Sequence, residues 1–183
     1  LEHLQLVGWA LLAATLIAVS SGVLVHRVRW LRGPWLSTSG VFLTIPSLAL
    51  FAIFIPVVGL GFRPSVIALT MYSILPILRN TVTGLDGVDR AVIESAKGVG
   101  LNPLQRLIQI ELPLAWPVIL TGIRVAALLA TGIAAIAILV GYGGLGYYIQ
   151  DGLNRYPLPT SVERMWTGTL LTIGLALALD ALF

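Results

Sequence analysis

Long apolar runs alternate with short polar breaks along this chain, the runs covering residues 4–25, 41–60, 65–78, 114–140 and 165–183. A helix needs about 20 apolar residues to cross the hydrocarbon core of a bilayer, so runs of this kind read as membrane spans. The first is interrupted only by Thr15, Ser20, Ser21 and Gly22, small residues that bond their own helix or admit a neighbour. Pro46 and Pro56 are expected to kink the second run, because each removes a backbone donor. The third contains Pro76 and is short for a straight span unless its flanks extend it. As one helix the fourth would reach ~40 Å at ~1.5 Å per residue, more than the core requires. Part of it is therefore expected at an interface, with Arg124 near the membrane surface and 125–140 crossing. Asp180 is likewise expected at an interface. The pattern predicts an all-α polytopic membrane protein of about five transmembrane helices, without internal repeats.

Composition sharpens this picture. The chain is 57% hydrophobic and 10% charged, far from the balance of a protein dissolved in water. A formal charge of +3 and a pI near 9.7 do not point to nucleic acid, because the eleven Lys and Arg are scattered at the edges of apolar runs. They fit membrane topology. With the 79–112 loop in the cytoplasm, Arg27, Arg29, Arg32, Arg79, Arg90, Lys97 and Arg106 lie inside and Arg124 at the border, while Arg63, Arg155 and Arg164 lie outside. The N-terminus is then outside. Cysteine is absent and His3 and His26 are the only histidines, so neither a metal site nor a cofactor is expected. No cleavable signal peptide is read, because the basic cluster follows the first run. Both ends are expected to be trimmed, since residue 1 is Leu and the last run stops at Phe183.

The polar break at 79–112 is the most informative stretch. Asp89 is placed to cap a helix from Arg90 to about Val99, and Gly100 to close it in the left-handed conformation. Asn102 is a good cap for a second helix and Pro103 suits its first position, with Leu104, Leu107, Ile108 and Leu112 on one face. Pro113 is expected to end that helix. The product is a short helix-turn-helix elbow on the membrane surface.

Within this elbow, Glu94-Ser95-Ala96, then Gly100, then Ile110 and Leu112-Pro113 closely resembles the E-A-A loop of binding-protein-dependent ABC importer permeases. Ser95 in place of the middle alanine is the one departure. The stretches Thr44-Ile45-Pro46-Ser47-Leu48-Ala49-Leu50 and Tyr72-Ser73-Ile74-Leu75-Pro76-Ile77-Leu78-Arg79-Asn80-Thr81 are similar to the osmoprotectant branch of that family, and Gly141-Tyr142-Gly143-Gly144-Leu145-Gly146 also fits it. The resemblance implies one permease domain over 1–183, with a cytoplasmic coupling segment at about 79–113, in a bacterial inner or plasma membrane. It implies a non-catalytic subunit of an importer for glycine betaine, choline or carnitine. The implied partners are ABC ATPase subunits, a second permease copy or paralogue, and an extracytoplasmic solute-binding protein. In such importers the elbow docks on the ATPase, which assigns coupling roles to Glu94, Ser95, Ala96, Gly100, Arg106, Ile110, Leu112 and Pro113. An ordinary interfacial helix pair is the plain alternative.

Other features carry weaker signals. Gly141, Gly143 and Gly146 satisfy the dinucleotide fingerprint G-x-G-x-x-G, but that motif needs a preceding strand, and this one follows an apolar run. The turn is either tightly packed or an outer gate formed by Gly141, Tyr142, Gly143, Gly144 and Gly146. Thr44, Pro46 and Ser47 mark a helix break that either is simply accommodated or lines a pathway. Tyr142, Tyr147 and Tyr148 suit an aromatic belt, with cation–π contact to a quaternary ammonium group as the rival. A permease of the same architecture for another solute such as methionine, or a non-transport scaffold, are the competing functions.

Overall fold

The predicted apolar runs fall in helix in the computed structural model, the second broken at Ile45 and Pro46 and ending at Val58; the structure describes residues 1–182, and Phe183, where the last run ends, lies outside the described residues. The helices are α1 (Glu2–Arg27), α2 (Arg29–Thr44), α3 (Ser47–Val58), α4 (Phe62–Asp86), α5 (Arg90–Gly98), α6 (Pro103–Arg106), α7 (Leu112–Ala134), α8 (Gly146–Asn154) and α9 (Pro159–Asp180). A π-helical turn at Leu107–Glu111 joins α6 to α7, and a 3-10 segment at Ala135–Val140 prolongs α7. No strand occurs among the described residues.

Three helical stretches among them are long and apolar enough to cross a membrane: Glu2–Arg27, Phe62–Asp86 and the continuous 38-residue Pro103–Val140. The helices α2 and α3 pass the same test only as a pair, bent by 99° between them, the geometry of a broken span or a re-entrant loop. The bend falls at Pro46, as its missing donor predicts, whereas Pro56 and Pro76 stay inside α3 and α4. The fifth run, in α9, carries Glu163, Arg164 and Asp180 and falls short of that apolarity.

Small residues decide how the long helices meet. Ala10, Ala14, Ala18 and Gly22 line one stripe of α1 at four-residue spacing, all buried, and Gly122, Ala126, Ala130 and Ala134 form the same stripe on α7. Side chains this small let backbones approach, which is the usual currency of helix association in lipid. A Cβ on Gly122 would stand 2.8 Å from the Pro76 carbonyl of α4, and one on Gly84 would stand 2.9 Å from the Ala115 carbonyl of α7. Helix α4 is thereby locked between α1 and α7. Larger side chains fill the remaining space: Leu6, Phe51 and Leu69 toward one end, and Ile77, Leu78 and Ile119 toward the other. The buried hydroxyls of Ser73, Thr81 and Thr131 each donate to the carbonyl four residues back, so none is left unpaired.

Three sequence expectations are corrected. Pro113 does not end the elbow's second helix; the wide π turn just before it absorbs the steric demand of the ring, and the helix runs on into α7. The 79–112 stretch is not all elbow, because α4 continues to Asp86. The break between the fourth and fifth runs is not all loop, because α8 lies within it, packed beside the 3-10 segment and α9.

Candidate functional site

The elbow is built from local hydrogen bonds that the chain supplies to itself. Asp89 caps α5 by accepting from the Ala91 amide at 2.8 Å. At the far end of α5, Leu101 N–H donates to the Ala96 carbonyl at 3.1 Å and Gly100 N–H to the Lys97 carbonyl at 2.9 Å. This is the Schellman closure, and Gly100 occupies its left-handed position at φ 86°. Open space surrounds a Cβ built there, so the backbone angle alone calls for glycine. Asn102 Oδ1 then accepts from Leu104 and Gln105 amides, while Gln105 Oε1 accepts from the Asn102 amide at 2.9 Å. That reciprocal capping box, closed by Gln105, is a feature the sequence reading missed although Asn-x-x-Gln is its signature.

The proposed coupling residues are unequally placed. Glu94 is exposed and bonded to Lys97 at 2.7 Å. The Lys97 ammonium, with Arg106 adding a weaker attraction, holds the Glu94 carboxyl below its ordinary range. Ser95 is exposed and its hydroxyl returns to the Ala91 carbonyl at 2.8 Å, whereas Ala96 is buried at the joint between the two short helices. Arg106 is half-buried with its Nε unpartnered. Ile110 and Leu112 are half-buried at the root, and Pro113 is exposed. Val92, Val99, Leu104 and Ile108 stand exposed on the elbow, an apolar surface that nothing in this chain covers.

The root of the elbow is tied to the bundle by charge. Glu111, 2% exposed in the π turn, accepts two bonds from the Arg27 guanidinium of α1 at 2.9 and 2.8 Å. Beside it Asp86, at the end of α4, meets His26 at 2.9 Å and Arg32 at 2.6 Å. Four elements thus converge at the elbow end. None of these pairs, separated by 54 to 84 residues, has a local signature in the sequence.

The candidate pathway residues form two groups. At the break, Thr44 returns its hydroxyl to the Val41 carbonyl at 2.7 Å, and Tyr72 of α4 donates to the Ile45 carbonyl that the bend frees. Pro46 is exposed and Ser47, half-buried, starts α3. The second group is the glycine turn at the opposite, loop end. Gly141 and Gly144 are left-handed at φ 84° and 107°, and a Cβ on Gly146 would stand 1.8 Å from the Ala135 carbonyl. Gly143 lies against Glu2, the Tyr142 hydroxyl donates to the Glu2 carbonyl at 3.2 Å, and the Tyr142 ring packs on Phe62. Leu145 N–H donates to His3 Nδ1 at 3.3 Å, so Nε2 carries the proton given to the Thr131 carbonyl at 3.0 Å. The turn is a packed joint with no strand before it, which removes the dinucleotide reading. The two groups are separated by the length of α3.

Arg124 lies about 20 Å along the helix from Glu111 and binds Asp180 of α9 through two contacts of 2.5 and 2.6 Å. The two residues expected at an interface are thus partners of each other. This pairing has no sign in the sequence, because the counter-ion lies 56 residues away in the chain.

No group of three or more His, Cys, Asp or Glu able to hold a metal occurs among the described residues. Comparison with known proteins agrees with the geometry. Residues 10–183 match the family described as binding-protein-dependent transport system inner membrane component. The choline transport system permease protein OpuBB of Bacillus subtilis is 44% identical over 155 residues, 85% of this chain and 71% of that protein. The osmoprotectant import permease protein OsmW of Salmonella typhimurium is 40% identical over 184 residues, 98% of this chain and 84% of that protein. A chain from inward-facing structures of the MetNI methionine ABC transporter superposes with a TM-score of 0.83 at 23% identity, covering 98% of this chain and 88% of that one, a likeness of fold. With a family match over nearly its whole length and relatives at this identity, the chain belongs to the inner membrane components of binding-protein-dependent transport systems.

Proposed function

We propose that this chain is the permease subunit of an ATP-driven importer for osmoprotectants such as glycine betaine, choline or carnitine. The observation that carries the mechanism is the elbow: two short helices, each capped by its own residues and closed at Gly100, with an uncovered apolar surface. A segment rigidified in this way transmits displacement, whereas a flexible loop dissipates it. Docked on a cytoplasmic ATPase subunit, it moves when two ATPases close on ATP. Val92, Val99, Leu104 and Ile108 supply contact area, Glu94 and Arg106 the polar rim, and Ala96 and Gly100 the shape. Ser95 replaces a small residue with another, its hydroxyl satisfied within α5. Ile110, Leu112 and Pro113 carry the motion through the π turn into α7, and the Arg27–Glu111 pair passes it to α1.

A second permease copy or paralogue completes the translocation unit, and an extracytoplasmic solute-binding protein delivers the cargo. This chain then performs no catalysis, and ATP hydrolysis belongs to its partner. The N-terminus and the glycine turn lie outside and the elbow in the cytoplasm, as the arginine distribution favours. Thr44, Pro46 and Ser47 border the pathway at the helix break, with the glycine turn as an outer gate. The cargo assignment draws on the names of the relatives at 40–44% identity; the methionine transporter shares the fold at an identity too low to bear on cargo.

Uptake of labelled choline and glycine betaine by cells relying on the complete system tests the cargo. Accumulation is expected after osmotic upshift, and uptake of methionine instead would overturn the assignment. Single cysteines test the orientation cleanly, the chain having none of its own. Asn154→Cys is expected to react with an impermeant thiol reagent in intact cells, and Val99→Cys only after permeabilisation; the reverse order would place the elbow outside.

A further inference from the structure

His3 is 3% exposed at the loop end of α1, and both of its ring nitrogens meet backbone groups whose roles are fixed. The Thr131 carbonyl of α7 can only accept, so Nε2 donates to it at 3.0 Å; the Leu145 amide can only donate, so Nδ1 accepts from it at 3.3 Å. The two bonds together demand the neutral ring in a single tautomer. Packing holds the ring in place, because a Cβ on Gly144 would stand 3.2 Å from Nδ1. Leu145 immediately precedes α8, so one imidazole joins α1, α7 and the end of the glycine turn.

A second proton changes the chemistry on one side of the ring only. It occupies Nδ1 and makes it a donor facing the Leu145 N–H, while the bond from Nε2 to Thr131 survives. The groups nearby do not relieve that conflict. From α1 come Glu2, whose side chain lies against Gly143, and the amino group of Leu1. From the turn comes Tyr142, whose hydroxyl bonds the Glu2 carbonyl, and from α8 come Tyr147 and Tyr148, which line a cavity with His3. Helix α7 brings only Thr131, its hydroxyl already given to the Ala127 carbonyl. Among the described residues no carboxylate bonds the ring, so nothing stands ready to receive the added proton.

We propose that His3 is a proton-sensitive latch on the glycine turn: neutral, it clamps the turn to α1 and α7; protonated, it releases the turn at Leu145. Because both bonds require the neutral ring, the latch is closed above the ordinary imidazole value of about 6.5 and opens as pH falls below it. That it senses the outer medium rests on the orientation and gate given under the importer reading above. His26, the other histidine of the sequence, lies at the elbow end in contact with Asp86, so the two faces of the membrane address different histidines. Acid outside then loosens the joint on which the outer gate depends, and transport slows.

Hydrogen–deuterium exchange on the complete transporter reads the latch directly, whether or not transport is measured. After correction for the intrinsic pH dependence of amide exchange, the peptide carrying Leu145 is expected to lose roughly tenfold in protection between about pH 7.5 and about pH 5.5. The elbow peptide around Gly100, a glycine closure with no imidazole, serves as the control and should not change. Unchanged protection at Leu145 in the wild type overturns the proposal, and that measurement needs no variant. His3→Gln, whose amide takes up no proton in this range, is expected to abolish the pH dependence; an equal loss of protection in His3→Gln also overturns the proposal. Uptake at outer pH 5.5 relative to 7.5, with internal pH held constant, should fall severalfold in the wild type and stay level in His3→Gln. Wild-type uptake that ignores outer pH defeats the latch and leaves the importer reading standing. Wild type with no uptake at either pH overturns that reading, while exchange at Leu145 still decides the latch.

Discussion

The elbow and the glycine turn sit at opposite ends of the bundle, and both reverse the chain with glycine at positive φ, but for different reasons. Gly100 has open space around it; what it supplies is a backbone angle, inside a unit whose hydrogen bonds are its own. Gly146 is pressed onto the Ala135 carbonyl, Gly143 onto Glu2 and Gly144 onto His3, so that turn exists only through its neighbours. A locally closed element keeps its shape while it projects and moves. An element closed by its neighbours is a joint, and it fails when any neighbour shifts. The comparison supports the proposed reading of the elbow as the handle and the turn as part of the frame.

The largest expected effect lies in the frame. Gly146→Ala places its Cβ 1.8 Å from a backbone oxygen, and such overpacking costs about 3 kcal/mol or more where backbone must move. Folded protein recovered in detergent should drop sharply, while Gly8→Ala, with nothing within 4 Å, should be neutral. Equal recovery of the two would mean that the turn is looser than described.

Next in size is the tie between elbow root and bundle. Glu111→Ala leaves the Arg27 guanidinium facing a buried void, and because Arg27 is 39% exposed the loss should be about 1–3 kcal/mol, less than for a fully buried pair. It is read as a fall in Tm. Exchanging the two charges, Arg27→Glu with Glu111→Arg, should recover part of it; no recovery would mean that the pair is incidental.

A smaller effect is expected in the elbow itself, where Asn102→Ala removes the cap and half the capping box. About 1 kcal/mol of local stability is at stake, visible as faster amide exchange in α6 and the π turn while global Tm barely moves. A global loss would argue that the elbow is not an independent unit.

The contrast also explains what could be read in advance. The elbow was legible because caps are local: Asp89, Gly100, Asn102 and Pro103 announce their roles within four residues. Gln105 was equally readable. Pro113 misled because the rule that proline ends a helix is also local, and the π turn before it, anchored by Arg27 from the far side of the chain, overrides it. Helix α2 was hidden because Gly33, Pro34, Ser37, Thr38 and Gly40 look like a loop, and packing on α1 and α4 outweighs propensity. The small-residue stripes on α1 and α7 were readable from their spacing of four. The Arg124–Asp180 pair was not, since no periodicity links positions so far apart.

The smallest expected effect is a dependence on pH at the loop end. Arg155, with Arg164 behind it, holds the Asp151 carboxyl below the ordinary carboxylate range. A depressed folded value means that this clamp contributes fully above that range and is lost as pH falls through the folded value. Tm should therefore be flat in this respect from about pH 8 to about pH 5 and decline below about pH 4, and Asp151→Asn should remove that part of the decline.

The central claim is that the elbow couples ATP hydrolysis to transport, and substrate-stimulated ATPase activity in reconstituted complexes tests it most directly. Gly100→Val forces a β-branched residue into a left-handed angle, at about 1–2 kcal/mol of local strain, and Glu94→Arg reverses the charge on the exposed rim. Both variants should assemble in the membrane at normal abundance, yet stimulated hydrolysis and transport should fall together, or the ATPase should dissociate. Asn154→Val, exposed at the other end, should match wild type. If the Gly100→Val and Glu94→Arg complexes assemble, hydrolyse ATP and transport at the level of that control, the elbow is not the coupling element.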